Sequence, residues 1–407
     1  GQAPVGIGTR STTGLVRGAI MVSQIAATTL LLVGAVLLAR SFAERWNLDR
    51  GYEPANMLTA ELAMPAYAFD GESRARVMDA ILDRIGAQPG VGAVGFTTIL
   101  PMASFEALLA FQLPAEASGA APREAQAAVR TVSPGYQQAM GIRVTGGRWL
   151  REDDTRSSPP VVVVNKAFVR AYLPGDGLGV RLPIGLSEGA DDWEIVGVVG
   201  DIHPRVGGEP PRPEVFVSMA QRSGGLEFAS PSLVIRTAGD PAALAPMVRQ
   251  VAADAHPAIV VEALMSMEDR LRVGLAEPRL YSVLVGGFAL LALVIASTGL
   301  FGVVSYTVTR RTRELGIRAA LGATPGGLLR LVLRQGLAVT AIGVAIGLAL
   351  AAAGGSLIAG LVFAVSTRDP LTFALVPLVL VAITTVACLV PARRASKTDP
   401  LTALKQA

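Results

Sequence analysis

Charged side chains that could act on a ligand or a partner gather at three places in this 407-residue chain. Two are acidic clusters, Glu152-Asp153-Asp154 and Asp191-Asp192, the raw material of a cation site or of paired acid–base chemistry. Consecutive carboxylates on a turn point apart, so the plainer reading is a pair of solvated loops. His203 and His256 are the only histidines and stand outside any metal-ligand spacing such as His-Glu-x-x-His. No serine sits in a Gly-x-Ser-x-Gly elbow, and no Gly-x-x-x-x-Gly-Lys-Ser/Thr loop occurs to cradle a nucleotide. The chain thus offers no nucleophile, base or metal site and reads as a non-enzyme. The third place is of another kind. Between Arg310 and Ala323, Arg311, Arg313 and Arg318 surround a lone Glu314, while Leu315, Ile317 and Leu321 are apolar and Gly316 and Gly322 punctuate the run. This composition predicts a short amphipathic helix at a membrane surface, ending near Gly322. Its chemistry is ion pairing, either across an interface or within the helix to Arg310, Arg311 or Arg318; a helix that only follows the charge bias of membrane proteins would read the same.

The elements that must position this segment are four apolar stretches: Gly18–Ala39, Tyr281–Thr307, Gly336–Val365 and Leu371–Pro391. Each reaches the roughly 20 residues that cross a bilayer core as a helix. None shows the strict alternation of a barrel strand, and none contains Asp, Glu, Lys, Arg or His, the groups an ion or proton pathway requires. Arg10 and Arg17 precede the first stretch, six arginines from Arg310 to Arg334 lie between the second and third, and Arg393, Arg394 and Lys397 follow the fourth. The positive-inside rule places these segments and both chain ends in the cytoplasm, and the block Arg50–Arg279 and the turn Ser366–Pro370 outside. With 51% hydrophobic and 17% charged residues, the composition fits a membrane protein carrying a large soluble domain. A net charge of +4 gives no reason to expect a nucleic-acid partner. The single cysteine, Cys388, lies in the last stretch, so no disulfide framework is available. The first stretch is too long for a signal peptide and lacks a small-residue cleavage site.

Within the spans, Gly336, Gly343, Gly347 and Gly354 recur at intervals of seven, four and seven, on one face of the third helix. Small residues there let a second helix come close, which serves ordinary packing within the chain or a sliding contact with a partner unit. Pro377 is expected to kink the fourth span. Helical periodicity continues from the first span through Ser41–Asn47, and from Met267 through Glu277 into the second with Pro278 interrupting. Two helices rising above the membrane in this way form a stalk, either moving or passive.

The block between the first two spans opens as strand Met57–Met64, helix Glu72–Ile85 and strand Val91–Leu100. It closes as strand Leu233–Thr237, a helix from Asp240-Pro241 to Ala255, and strand Ala258–Leu264. The middle reads as β at Pro160–Asn165, Trp193–Val199 and Glu214–Val217, with a helix at Lys166–Tyr172 and a loop at Pro114–Arg123. The fold class is therefore an α-helical membrane protein of four transmembrane helices with a mixed α/β domain, in two subdomains, inserted between helices 1 and 2. The expected organisation is a lead at 1–17, the first helix and stalk at 18–48 and the inserted domain at 49–265. In that domain a split α/β part (55–130 and 228–265) encloses a β-rich part (131–225). The remaining spans occupy 266–407, the third helix starting near 330 and a tail following at 392–407.

Three sets of residues carry a family resemblance. Val132-Ser133-Pro134-Gly135-Tyr136 with Met140-Gly141-Ile142 and Gly147-Arg148, then Val163-Val164-Asn165-Lys166-Ala167-Phe168, then Glu194-Ile195-Val196-Gly197-Val198-Val199-Gly200-Asp201 resemble the periplasmic core domain of MacB-type ABC permeases. Arg311-Thr312-Arg313-Glu314-Leu315-Gly316-Ile317-Arg318 with Gly322-Ala323 resembles the signature of FtsX-like permease domains, and Pro391-Ala392-Arg393-Arg394 with Asp399-Pro400-Leu401 resembles their C-terminal ending. The lead Gly6–Gly14 departs from the amphipathic helix usual in the family and resembles the second half of duplicated orphan permeases. The expectation is that this chain, which begins at Gly1, is the C-terminal half of a longer protein.

The resemblance implies an ABC exporter permease of the bacterial inner membrane working by mechanotransmission, in which a partner ATPase holds ATP and Mg and no cofactor sits in this chain. It implies docking of that ATPase on Arg311, Arg313, Glu314, Leu315, Gly316, Arg318 and Gly322. It also implies a second permease unit, as a homodimer or a fused half, and periplasmic adaptor or envelope proteins as partners. The rival expectation is a scaffold of the FtsX kind that regulates a periplasmic enzyme and transports nothing. The large two-part external domain weighs toward the MacB type, and the substrate is not written in the residues.

Overall fold

The computed structural model describes residues 12–102, 108–113, 123–187, 190–203, 210–222, 231–310 and 324–396. The chain divides into two units, one made of Gly1–Asn47 with Glu277–Ala407 and the other of Leu48–Ala276. The predicted loop at Pro114–Arg123 lies outside the described residues except for Arg123.

The Leu48–Ala276 unit is built on one mixed sheet. Its elements in chain order are β1 (Met57–Ala63), α2 (Gly71–Gly86), β2 (Val91–Thr97), β3 (Leu108–Leu113), β4 (Arg123–Val132), α3 (Tyr136–Met140), β5 (Val144–Gly147), β6 (Val161–Asn165), α4 (Lys166–Tyr172), β7 (Arg181–Ser187), β8 (Ala190–Val199), β9 (Glu214–Ser218), β10 (Ser232–Thr237), a 3-10 turn at Pro241–Leu244, α5 (Ala245–Ala255), β11 (Val260–Ser266) and α6 (Met267–Gly274). The strands follow the order β11-β1-β10-β2-β4-β9-β6-β8-β5, with β3 beside β4 and β7 beside β8.

Local chemistry explains the helices of this unit. Asp70 and Ser73 form a capping box at the start of α2, in which the Ser73 amide donates to Asp70 Oδ1 at 2.7 Å and the Asp70 amide donates to Ser73 Oγ at 3.0 Å. Asn165 ends β6 and caps α4: its Oδ1 accepts from the Phe168 amide at 2.9 Å and from the Glu214 amide at 3.0 Å, tying the helix to β9. Asp201 then accepts from the Ala167 amide and from Arg170. The family-like residues Asn165 and Asp201 are thus joints of the framework.

The sheet carries three cores. On the split α/β side, Leu58, Ala60 and Leu62 of β1 alternate inward against Met78, Ile81 and Ile85 of α2 and Val248 and Val251 of α5. On the inserted side, Phe111, Ala125, Ala127, Val129, Phe168, Trp193 and Val215 form a second core. Strand β6 sends Val162 and Val164 into that core and Val161 and Val163 into a third on the opposite face. Burial on both faces is why it reads as an uninterrupted valine run. The boundary predicted at residue 130 moves here: β3 and β4, from Leu108 onward, pack with the inserted part. The Arg-Glu-Ala-Gln-Ala-Ala run of β4 has weak strand character by itself, and pairing with β3 and β9 overrides it.

Between the first and second cores the sheet narrows to one pairing of β2 with β4, Thr97 opposite Val132. The neck is reinforced on both sides. The Ser133 amide donates to Phe96 O and the Phe96 amide to Ser133 Oγ, at 3.1 and 2.9 Å. Gly95 and Gly135 let the two backbones touch: a Cβ on Gly95 would lie 2.3 Å from Tyr136 Cα, and one on Gly135 would lie 2.2 Å from Val94 O. Beside them Arg130 and Glu214 form an ion pair, each side chain 2% exposed, with Arg130 Nε and Nη2 at 2.9 and 2.6 Å from Glu214 Oε1. Arg130 Nη1 donates to Ile99 O at 2.6 Å, so one guanidinium joins the bend that follows β2 to β4 and β9. Burial pushes the Tyr136 hydroxyl pKa up to about 12.

Asp154 also departs from the solvated loop predicted for Glu152-Asp153-Asp154. It is 4% exposed, accepts from Arg148 Nη1 and Nη2 at 2.7 and 2.8 Å, and accepts from the Arg151 amide at 2.8 Å. Burial alone would raise its pKa, but these bonds outweigh burial and hold the carboxyl below its usual range.

The other unit comprises α1 (Thr12–Trp46), α7 (Ala276–Arg310), α8 (Pro325–Ile358) and α9 (Pro370–Ser396). All four are long and apolar enough to cross a membrane. The third helix ends earlier than its hydropathy predicts, at Ile358 in place of Val365. Leu361 turns back onto Ile358 O, the Phe363 amide donates to Ser41 Oγ, and Val362 and Val365 pack on the span cluster from a turn. Pro278 does not interrupt the second helix. It sits in the first turn of α7, where a missing N–H costs nothing, and the break falls at Leu275. Helix α9 runs unbroken through Pro377.

Two outcomes test this account. Arg130→Met or Glu214→Leu alone strands a buried charge and is expected to cost about 3–5 kcal/mol, whereas the double variant recovers most of it; urea unfolding followed by Trp149 and Trp193 fluorescence measures this. Because the Asp154 pKa is lowered on folding, its contribution is present above its unfolded value and is lost as pH falls through the folded one. Wild type should therefore lose more stability than Asp154→Asn between about pH 5 and pH 2, read as unfolding midpoints across that range.

Candidate functional site

Helix α1 is the hub of the four-helix unit. Its contacts with α7 run antiparallel along the whole length: Arg17 lies over the Tyr306 ring at 4.5 Å, and a Cβ on Gly299 would lie 3.1 Å from Gln24 Oε1. Further along, Thr28 Oγ1 donates to Ala292 O at 3.3 Å and Ser282 Oγ donates to Leu38 O at 3.2 Å. On its far side α7 exposes Leu284, Phe288, Leu291 and Ile295, a surface suited to lipid.

The four glycines of α8 divide among three surroundings. A Cβ on Gly343 would lie 2.7 Å from Ile25 Cβ and Cγ2, and one on Gly347 would lie 2.5 Å from Thr29 Cβ and 2.7 Å from Ala26 O. Both therefore face α1 at a separation only glycine permits. Gly336 faces α9, with Cys388 Sγ 2.6 Å from its absent Cβ, and Gly354 has nothing within 4 Å. One turn beyond Gly336, Thr340 donates to Gly336 O and shares a 3.0 Å hydrogen bond with Thr384, linking α8 to α9 in a buried position.

At the end of the unit where α1 leads into the inserted domain, α1 grips the turn between α8 and α9. Arg40 forms an ion pair with Asp369, Ser41 Oγ accepts from the Phe363 amide at 2.8 Å, and Arg45 Nη2 donates to Leu361 O at 3.4 Å with its guanidinium 5.7 Å from the Phe363 ring. Asp369 also caps α9, accepting from the Thr372 amide at 2.8 Å and from Thr372 Oγ1 at 2.7 Å. Those two bonds, with the charge of Arg40 beside them, hold its carboxyl below the usual range. Three residues of α1 thus clasp one turn by ion pair, hydrogen bond and cation–π contact. This clasp has no catalytic chemistry. What it does is join the outer ends of α8 and α9 to α1.

The predicted docking residues Arg311, Arg313, Glu314, Leu315, Gly316, Arg318 and Gly322 lie outside the described residues. Of the histidines, His256 accepts the Ala258 amide at 3.1 Å and packs on Phe69, a structural role. Among the described residues, no group of three His, Cys, Asp or Glu could hold a metal ion. The clasp was missed in the sequence, although a signal was present: Arg40 directly follows the charge-free run ending at Ala39, and Asp369 directly precedes the last span, so opposite charges stand at one membrane level.

These features define a membrane protein of four transmembrane helices with a mixed α/β domain inserted after the first. Comparison with known families is specific. The MacB-like periplasmic core domain matches residues 65–263, and the FtsX-like permease C-terminal domain matches residues 286–400. The chain belongs with the MacB-like ABC transporter permeases. It is 24% identical over 285 residues to the uncharacterized ABC transporter permease YknZ of Bacillus subtilis, covering 69% of this chain and 70% of that one. It is 27% identical to the macrolide export ATP-binding/permease protein MacB of Chromobacterium violaceum, over 69% of this chain and 44% of that protein, so it spans less than half the length of that relative. Among solved structures, the periplasmic region of MacB from Actinobacillus actinomycetemcomitans aligns with a TM-score of 0.35 at 14% identity, over 56% of this chain and 97% of that one.

The glycine contacts carry a graded expectation. Gly347→Leu should push α8 off α1 at a cost on the order of 1–3 kcal/mol, whereas Gly354→Leu should leave stability unchanged. Size-exclusion profiles of detergent-solubilised protein after a heat ramp measure the difference.

Proposed function

We propose that this chain is the permease subunit of an ABC-type exporter that works by mechanotransmission in the bacterial inner membrane. Both chain ends and the Arg311–Gly322 segment face the cytoplasm, where an ATP-binding cassette ATPase docks and holds ATP and Mg. Closure of that partner shifts α8 and α9, the clasp hands the shift to α1, and α1 delivers it to the periplasmic domain. The observation that carries this reading is the clasp itself. A turn joined to α1 by Arg40, Ser41 and Arg45 cannot move without it.

Other features support the same division of labour. The spans have no Asp, Glu, Lys, Arg or His between their boundaries with which to couple transport to an ion gradient. The sequence has no P-loop, while relatives that bear the name ATP-binding/permease are more than twice as long as the stretch they share with it. Export enters from the names of those relatives, which specify macrolides or pyoverdine for the proteins concerned. A second permease unit completes the assembly, with periplasmic envelope proteins as further partners.

The test is co-purification from native membranes in mild detergent. Wild type is expected to bring down an ATP-binding subunit with ATPase activity, and Glu314→Arg with Gly316→Trp to lose it while folding normally. Wild-type preparations free of any ATPase would sink the reading.

A further inference from the structure

Where α1, the start of α7 and the turn after α8 meet, they enclose a cavity of about 190 Å³. Leu38, Phe42 and Leu361 give it apolar walls, and Arg45, Glu277 and Tyr281 give it polar ones. The Tyr281 hydroxyl donates to Glu277 Oε1 at 2.8 Å, which fixes the carboxylate at one side. A cation and an anion thus face one small space. Such a pair suits neither a purely anionic nor a purely cationic ligand.

Depth narrows the ligand further. The charge-free run of α1 ends at Ala39, and Arg45 lies five residues past Arg40, about 8 Å along the helix. Glu277 lies four residues before Tyr281, about 6 Å beyond the start of the second apolar run. Both distances match the headgroup layer, about 5–8 Å per leaflet. Tyr281, 36% exposed, stands at the inner edge of this layer and Trp46, 47% exposed, at its outer edge, the zone where aromatic side chains mark the membrane interface.

We infer that this cavity seats the headgroup of a zwitterionic phospholipid from the leaflet on the side of the inserted domain. The phosphodiester lies against the Arg45 guanidinium, which suits tetrahedral oxyanions. The ammonium lies against the Glu277 carboxylate and the Tyr281 ring, by ion pairing and cation–π attraction. The glycerol and first methylenes lie along Leu38, Phe42 and Leu361. An anionic headgroup such as phosphatidylglycerol would satisfy Arg45 but bring no cation to Glu277. A soluble zwitterion would leave the apolar walls uncovered.

Native mass spectrometry of the full chain, delipidated in detergent and titrated with phosphatidylethanolamine or phosphatidylglycerol, tests the assignment. Wild type is expected to retain one phosphatidylethanolamine about tenfold more tightly than phosphatidylglycerol, the worth of one charge-assisted contact. Glu277→Gln should remove that preference by weakening phosphatidylethanolamine alone, Arg45→Gln should weaken both lipids, and Arg45→Lys, which keeps the charge and guards against misfolding, should retain them. Equal retention of the two lipids by wild type would overturn the inference, as would an unchanged preference in Glu277→Gln. So would full competition by glycerophosphoethanolamine, which would make the ligand a soluble zwitterion, or a second copy of the chain that binds in place of lipid and blocks its uptake.

Discussion

The close approach of α8 to α1 at Gly343 and Gly347 is the contact on which the four-helix unit depends. Lipid tails are as apolar as leucine, so burying apolar surface between spans gains little, and association rests on packing distance and polar links. With no Cβ on either glycine, Ile25 and Thr29 sit directly on the α8 backbone. That leaves α1 central, with α7 laid along it in an antiparallel seam and Leu300 and Val304 of α7 sharing a cluster with Cys388 of α9. The Thr340–Thr384 bond then fixes α9 to the outer side of α8. Everything at the domain-side end, clasp and cavity alike, inherits its geometry from this spacing.

The inserted unit solves a different problem, holding together the two parts of one sheet, each with its own core and both sharing a third on the opposite face. Its neck has a single ladder pair, so the sheet alone would hinge there. Ser133, the two facing glycines and the Arg130–Glu214 pair add non-ladder connections at that point. A buried ion pair adds little net stability compared with apolar residues of similar size, but breaking it is costly. Its effect is therefore directional: it penalises any bend that separates Ile99 from β4 and β9. The SPGY-type turn and the glycines around it resembled a family because the neck requires them.

Legibility followed the physics of each element. The spans could be read because a charge-free run of that length has one stable arrangement in lipid, and α2, α4 and β6 because caps and a two-sided valine run are local signals. What could not be read depended on partners distant in sequence. Strand β4 takes its conformation from β3 and β9, Asp154 loses its solvent to Arg148, and Leu361–Val365 is apolar because it packs on α1 from a turn. The glycine stripe was legible as a stripe, but its division between α1, α9 and open space was not, since equal spacing says nothing about which neighbour lies opposite each position. Arg40 and Asp369 are 329 residues apart, and only folding brings them together.

The placement of polar contacts along α1 has its own logic. In the hydrocarbon layer an ion pair would carry the cost of desolvating both partners, and the structure uses glycine packing and hydroxyl-to-carbonyl bonds there. At the interface the desolvation cost falls, while the surrounding dielectric stays low enough for a charge pair to count. Arg40–Asp369 and Arg45 sit at that level, each supplemented by a hydrogen bond that fixes direction. A contact meant only to hold helices together could be spread along the span. One concentrated on a single turn, at the boundary where α1 leaves the membrane, holds the turn and the helix to a common displacement, and this is the property a mechanical relay needs.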